Sequence, residues 1–321
     1  MSLPLPGTAD DRAVGVLLGA ACGDALGVPY EFGPPLPADR VPEMVGGGLG
    51  PYAPGEYSDD TQMAVCVAES LRDHDDPLAP EALAATARAF LRWRAEGATD
   101  IGNQTARVLG GAEHAWRSDD VARVMTEGAA ELHASGVRSA GNGSLMRTGP
   151  LALAYLDDPW GLAAAARRYS DLTHGDPLAG EACVLWCEGV RHAVVDGDLA
   201  GVRAGLNLLP EDRRDAWSGW LGEAEERPPH AFGDNGFVVR ALQAAWSAIT
   251  HEPDGFTGAL RAAVRAGNDT DTVAAIAGAL LGARWGAGEI PGEYVSAVHG
   301  WPGYRAEGLA GLALAVTRRH G

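Results

Sequence analysis

From Ala82 to Trp93, from Val238 to Ile249 and from Leu309 to Val316, apolar residues return every three or four positions. That spacing puts them on one face of an α-helix, which must then bury its stripe against a neighbour. Most of the chain reads this way, and alternating strand-like runs are scarce. The best strand candidate, Val41-Pro-Glu-Met-Val, runs into Gly46-Gly-Gly and reads as loop. The pattern predicts an all-α protein with helices near 10–26, 59–74, 79–95, 102–116, 119–134, 144–155, 160–171, 176–195, 198–207, 210–224, 236–250, 256–266, 271–285 and 305–319. The longest connection, about 28–58, is rich in Gly and Pro, and long loops in compact domains tend to carry function.

Composition narrows the function classes. With 321 residues, 46% hydrophobic and 21% charged, the chain can bury a large core. Its formal charge of −18 argues against nucleic acid or an anionic membrane surface as a general partner. Cys22, Cys66, Cys183 and Cys187 form no C-x-x-C pair and read as reduced, buried thiols. No basic leader precedes an apolar core at the N-terminus, and no apolar run of eighteen residues stands out, so the expectation is a cytoplasmic protein without a membrane span.

Two acidic clusters carry the chemistry: Ser58-Asp59-Asp60-Thr61 and Asn268-Asp269-Thr270-Asp271-Thr272, each just before a helical stretch. Helix capping is the plain explanation, and Asp59 with Gln62 resembles a capping box. A cap needs one side-chain oxygen, however, and each cluster offers several. Asp269 and Asp271, two apart, point the same way in an extended segment entering a helix. Two carboxylates about 4 Å apart repel by roughly 4 kcal/mol at an effective dielectric near 20, which calls for a cation between them. All donors are hard oxygens, so Mg²⁺ or Mn²⁺ suits them better than zinc. The two clusters must meet, and this argues for one domain over 1–321. Asp269-Thr-Asp-Thr-Val also matches a phosphoryl-accepting D-x-D-x-[T/V] pattern, but that motif ends a buried strand, and Phe256 to Ala266 is helical in spacing.

Further positions stand out. Gly19 and Gly23 read as a close helix contact, whereas Asp24 and Glu31 are acidic residues set in an apolar run. Ser139-Ala-Gly-Asn-Gly-Ser-Leu-Met-Arg147 is a loop before a helix expected from Ser144, able to offer backbone N–H groups to a phosphate.

Taken in order, Gly23-Asp-Ala-Leu-Gly with Glu31, Ser58-Asp-Asp-Thr-Gln-Met, Asp100-Ile-Gly-Asn, Gly141-Asn-Gly-Ser-Leu-Met-Arg, Thr173-His174, Gly236-Phe-Val-Val and Gly267-Asn-Asp-Thr-Asp-Thr-Val resemble the ADP-ribosylglycohydrolase family, nearest its bacterial dinitrogenase reductase-activating branch. The resemblance spans about residues 12–286. It implies a compact, orthogonal multi-helix bundle that removes ADP-ribose from modified protein side chains with two Mg²⁺ or Mn²⁺ ions. Carried over by position, Ser58, Asp59, Asp60 and Asp271 would bind one metal, and Asp269, Asp271 and Thr272 the other. Glu31, Asp59 and Asp60 are the candidate acid–base groups. Gly141, Asn142, Gly143 and Ser144 match the pyrophosphate cradle, His174 an ADP-ribose contact, and Phe237 the adenosine or ribose end. Ser58 stands where Thr is common and Asn268 where Gly is common, and serine keeps the hydroxyl ligand. Asp100, with Asn103, matches the arginine-directed branch, since a carboxylate pairs bidentately with a guanidinium; capping a helix from Gly102 is the alternative. ADP-ribosyl-arginine is the expected substrate. ADP-ribosyl-serine, O-acetyl-ADP-ribose or a non-catalytic ADP-ribose-binding role stand behind it, and the protein is expected to act as a monomer.

Overall fold

The computed structural model describes residues 4–34, 36–37 and 39–321. Met1 to Leu3, the start of the N-terminal segment expected to lack a basic leader, and Pro35 and Ala38, in the long 28–58 connection, lie outside the described residues. Fourteen α-helices follow one another there: α1 (Ala9–Gly27), α2 (Asp59–Asp73), α3 (Pro80–Glu96), α4 (Asn103–Ala112), α5 (Val121–Ala134), α6 (Pro159–Ser170), α7 (Pro177–Asp196), α8 (Gly201–Ala204), α9 (Glu211–Glu226), α10 (Val238–His251), α11 (Phe256–Val264), α12 (Thr270–Trp285), α13 (Gly292–Ala297) and α14 (Ala306–His320). The all-α expectation holds, with one small antiparallel hairpin of His299–Gly300 and Tyr304–Arg305 that the periodicity did not show.

Helices α1 and α12 form the axis of the molecule. They run antiparallel in close contact: a Cβ built on Gly15 would meet Gly282, one on Gly19 would meet Gly278, one on Gly23 would meet Ala274, and one on Gly27 would stand 2.4 Å from the Asp271 Cα. Glycine is required on this face because two backbones occupy the space a side chain needs. The antiparallel register brings the C-terminal end of α1, with Asp24, to the N-terminal end of α12, with Asp269 and Asp271. Nearly every residue of both helices is buried, and the buried apolar side chains form one continuous core from Ala13 to Val316.

Several sequence expectations are corrected. Segment 144–155 is not an α-helix but two 3-10 turns, Leu145–Arg147 and Gly149–Ala154. Pro150, with no N–H and a ring that crowds the preceding turn, accounts for the break. The helix expected over 102–116 ends at Ala112 and continues as a 3-10 turn, and the one over 198–207 shrinks to α8 plus a 3-10 turn. Helix α13 is short and was not anticipated. Residues Ala9–Tyr30 are, after all, long and apolar enough to cross a membrane by length and composition, but the segment is mostly buried inside the protein, as the central helix of a bundle is.

Candidate active site

The two acidic clusters meet. Ser58 Oγ lies 3.1 Å from Asp60 Oδ2 and 3.3 Å from Asp271 Oδ2, across 213 residues of sequence. Helices α2 and α12 both begin here, and their free N–H ends favour negative charge. The N-cap residues Ser58 and Asp269 make no side-chain capping hydrogen bond, although Asp271 Oδ1 accepts the Thr272 N–H at 2.9 Å within the first turn of α12. Gln62 does not complete a capping box either. It donates to the Tyr57 carbonyl and accepts the Trp93 indole N–H at 2.6 Å.

Asp24, from α1, takes over the start of α2. Its Oδ1 accepts from the Ser58 N–H and hydroxyl, both at 2.7 Å, and its Oδ2 accepts from the Thr61 N–H at 2.9 Å and hydroxyl at 2.7 Å. The second cluster is held from elsewhere. The Asn235 carbonyl oxygen Oδ1 accepts the Asp269 N–H at 3.1 Å, its amide donates to the Gly267 carbonyl, and Asn142 donates to Asp269 Oδ2 at 2.7 Å. The Thr270 hydroxyl donates to the Gly27 carbonyl, tying α12 to the end of α1.

The result is a knot of acid without a counter-charge. Carboxylate oxygens of Asp24, Asp60 and Asp271 lie within 4.8 Å of one another, as do those of Glu31, Asp269 and Asp271. Charges at that separation repel by roughly 3 kcal/mol per pair at an effective dielectric near 20. Among the described residues no Arg or His forms an ion pair with any of them. Burial, followed by the neighbouring carboxylates, pushes Asp60, Asp59 and Asp271 well above the usual range. Burial, with Asp269, Asp100, Asp59 and Asp24 behind it, pushes Glu31 up to about 9. Asp24 rises only to about 6, because its four hydrogen bonds oppose the burial. Asp269 is also raised by burial, while Asn142 and the nearby Thr272 favour its charged form. Asp60 Oδ1 is buried without a hydrogen-bond partner. Uncompensated buried carboxylates of this kind fit a hard divalent cation, since the donors are oxygens at convergent positions.

Beside the knot opens a cavity of about 420 Å³, a size suited to a small-molecule ligand. Asp59, Asp269, Asp271 and Thr272 line it, together with Glu31, Phe32, Leu49 and Asp100, the last just before α4. Gly141, Asn142 and Gly143 also line it, packed against His174. A Cβ on Gly141 would stand 3.3 Å from His174 Nε2, and one on Gly143 3.2 Å from its Cε1, so this loop is small where it passes the ring. Buried Arg147 secures the wall by donating to the Gly143 carbonyl at 2.9 Å and to Thr173 Oγ1 at 2.7 Å, while stacking over Phe90. Thr173 Oγ1 in turn lies 2.7 Å from His174 Nδ1. Burial, and then Arg147, hold His174 well below its ordinary value, so the ring is neutral. The N–H groups of Gly143 and Ser144 donate to no backbone acceptor among the described residues.

The ADP-ribosylglycohydrolase family profile matches residues 5–321. The chain belongs to this family. It is therefore a hydrolase of glycosidic bonds of the ADP-ribosylglycohydrolase type. The chain is 33% identical to an ADP-ribosylarginine hydrolase, Tri1, of Pseudomonas putida over 91% of its own length and 76% of that protein's. It is 29% identical to an ADP-ribosyl-[dinitrogen reductase] glycohydrolase of Rhodospirillum rubrum, covering 89% of this chain and 90% of the relative. A solved structure described as an ADP-ribosylglycohydrolase-related protein complex superposes with a TM-score of 0.71 at 33% identity, covering 98% of this chain and 99% of that one.

In this ADP-ribosylglycohydrolase the anticipated residues fall into three groups. Glu31, Asp59, Asp100, Asn103, Gly141, Asn142, Gly143, His174, Asp269, Asp271 and Thr272 all line the cavity. Ser58 and Asp60 do not line it, and both are buried. Two more lie off it. The Ser144 hydroxyl accepts from Ser170 at 2.8 Å, and the residue is fully buried. Phe237 sits behind Gly236, paired to Gly141 and covered by Arg138 at 5.2 Å. Asp59 stands outside both close carboxylate groups, whereas Glu31 joins the second. The structure adds Gln104, which donates to the Thr173 carbonyl and lines the cavity next to Asn103, and Asn235, whose amide clamps the Asp269 turn. Asn235 is fully buried although Arg227-Pro-Pro-His to Asn235-Gly236 is a polar stretch in the sequence, so nothing local announced it.

Proposed function

We propose that this enzyme removes ADP-ribose from arginine side chains of modified proteins, using two Mg²⁺ or Mn²⁺ ions. The observation that carries the arginine reading is Asp100. Its carboxylate faces the cavity shared with Glu31, Asp59 and Asp269, and α4 begins at Asn103 with no side-chain cap from it. Among the described residues it accepts only the neighbouring Ile101 N–H, through Oδ1, which leaves lone pairs for a guanidinium. The naming of two relatives as ADP-ribosylarginine hydrolases supports the same reading.

Ser58, Asp60 and Asp271 on one side, and Asp269, Asp271 and Thr272 on the other, with Asp59 at the cavity face, would hold the cations, which supply positive charge for water activation and for orienting ribose hydroxyls. The rest is done by protein groups. The Gly143 N–H, which has no backbone acceptor among the described residues, is available at the cavity to a pyrophosphate. If Thr173 gives its hydroxyl proton to His174 Nδ1, as its acceptance from Arg147 allows, a neutral Nε2–H is left facing the same anion. Hydrolysis breaks the ribose C1′–N bond and forms a C1′–O bond to water, while a proton passes to the departing guanidine nitrogen. Glu31, Asp59 and Asp60 are the candidate carboxyl groups to move it, the first two from the cavity lining and Asp60 from a buried position.

A panel of ADP-ribosylated peptides with arginine or serine linkages, together with O-acetyl-ADP-ribose, assayed with Mg²⁺, Mn²⁺ or chelator, tests both parts. Arginine-linked ADP-ribose should turn over at least roughly tenfold faster than the others, in line with a charge-assisted contact. Preference for serine would overturn the arginine assignment. Turnover that survives exhaustive chelation would overturn the metal requirement.

A further inference from the structure

Asp24 lies in the same carboxylate group as Asp60 and Asp271, and proximity alone makes it a third ligand. Its hydrogen bonds say otherwise. An ionised carboxylate offers about four lone-pair directions, and Asp24 uses four: two for the N–H and hydroxyl of Ser58, two for those of Thr61. The residue is fully buried at the last turns of α1, so no water competes for those directions.

What those bonds do to Ser58 is the consequence that matters. The Ser58 hydroxyl has one proton and three carboxylate oxygens within reach: Asp24 Oδ1 at 2.7 Å, Asp60 Oδ2 at 3.1 Å and Asp271 Oδ2 at 3.3 Å. The shortest bond takes the proton. The hydroxyl's lone pairs then face the gap between Asp60 Oδ2 and Asp271 Oδ2, and the other Asp60 oxygen, Oδ1, is buried without a partner. An oxygen aimed lone-pair-first into an acidic gap adds to the repulsion there unless a cation sits in it. Pointing the proton into the gap would satisfy the carboxylates and shut a cation out.

We propose that Asp24 is a positioning residue rather than a ligand: it caps α2 from the neighbouring helix and pins the Ser58 hydroxyl proton away from the gap, so that Ser58 Oγ serves as a cation ligand beside Asp60 and Asp271. Outer-shell partners that orient ligands in this way are worth about 10- to 100-fold in metal affinity. The assignment rests on the metal-dependent reading above and deepens it. In Asp24→Asn, an amide of equal size replaces one acceptor by a donor. Facing Ser58, that donor turns the hydroxyl proton towards the gap; facing Thr61, it strands the Thr61 N–H.

Mn²⁺ binding, followed by electron paramagnetic resonance on the full chain, separates the outcomes without reference to turnover. Wild type should bind Mn²⁺, and Asp24→Asn should bind it at least about tenfold more weakly, while Thr61→Val, which removes one hydroxyl from the other carboxylate oxygen, stays within about threefold. On a Ser58→Ala background, Asp24→Asn should add little, because the ligand through which it acts is gone. Should Asp24→Asn fail to fold, anomalous diffraction from Mn²⁺-loaded wild type decides, with Ser58 Oγ expected on the metal and Asp24 off it. Unchanged affinity in folded Asp24→Asn, full additivity with Ser58→Ala, or an Asp24 oxygen found on the metal would each overturn the assignment. Absence of any Mn²⁺ binding by wild type would instead overturn the metal reading beneath it.

Discussion

The N–H of Phe32 donates to the Asn268 carbonyl at 2.7 Å, and both residues stand at positive φ, 46° and 58°. This bond joins the Glu31 turn to the turn that carries Asp269. Asn tolerates the left-handed region, whereas a β-branched residue there pays a steric penalty. Asn268→Gly should therefore change unfolding free energy by less than about 0.5 kcal/mol, and Asn268→Val should lose roughly 1–2 kcal/mol. Urea unfolding at constant m-value reads both. Equal stability of the Gly and Val variants would mean the turn is not held where it stands.

The contact of Gly27 with Asp271 makes a second prediction. A Cβ on Gly27 would stand 2.4 Å from the Asp271 Cα and 2.5 Å from the Thr270 carbonyl oxygen, which are backbone atoms that cannot swing aside. Gly27→Ala should push α1 off α12, cost about 1–3 kcal/mol as overpacking does, and reduce turnover because Asp271 moves. Gly111 in α4 has open space around it, so Gly111→Ala should gain up to about 1 kcal/mol in helix propensity. A pair of thermal melts with activity assays checks the contrast, and a harmless Gly27→Ala would contradict the packing.

Stability of the metal-free protein should fall with rising pH. Burial lifts Asp60 and Asp271 well above their ordinary range and Glu31 up to about 9. The folded state thus keeps protons that the unfolded chain has released, so this stabilisation is complete below the unfolded values and is lost as pH climbs through the folded ones. His174 works in the opposite sense, since burial lowers it, but its effect is over by about pH 7, above its unfolded value. Melting with chelator at pH 7 and pH 8.5 isolates the carboxyls, at up to about 1.4 kcal/mol per pH unit for each proton retained. The melting temperature should drop across that window, drop less in Asp60→Asn, and stay level with saturating Mn²⁺. A flat chelated wild type would show that these carboxyls are already ionised without metal.

How far the sequence could be read follows from the range of each interaction. Helical periodicity is local, so α3, α10 and α14 were legible to within a few residues. The 3-10 path over 145–154 was not, because Pro150 and the tertiary hold of Arg147 on Gly143 and Thr173 decide it. Asp59, Asp60, Asp269 and Asp271 were legible as paired carboxylates, since surplus charge in a short span is itself a local anomaly. What Asp24 does was not. Its four bonds cross 34 and 37 residues, and an isolated acidic residue in an apolar helix gives no hint of its partner. Asn235 is a stronger case of the same limit, being an ordinary loop residue until Asp269 folds against it.

Asp100 offers the sharpest test of substrate choice. Its side chain neither caps α4 nor pairs with an arginine among the described residues, and its carboxylate lines the cavity alongside the carboxylates of the knot. Asp100→Asn keeps shape and some hydrogen bonding but removes the charge and the second acceptor oxygen. It should lower kcat/KM for arginine-linked ADP-ribose by roughly ten- to a hundredfold, the span of a charge-assisted bond worth about 1.5–3 kcal/mol. The same substitution should leave kcat/KM for O-acetyl-ADP-ribose within about threefold, because that leaving group brings no guanidinium. Steady-state kinetics on both substrates reads the difference directly. Equal losses on both would assign Asp100 to the shape of the cavity and remove the main support for arginine.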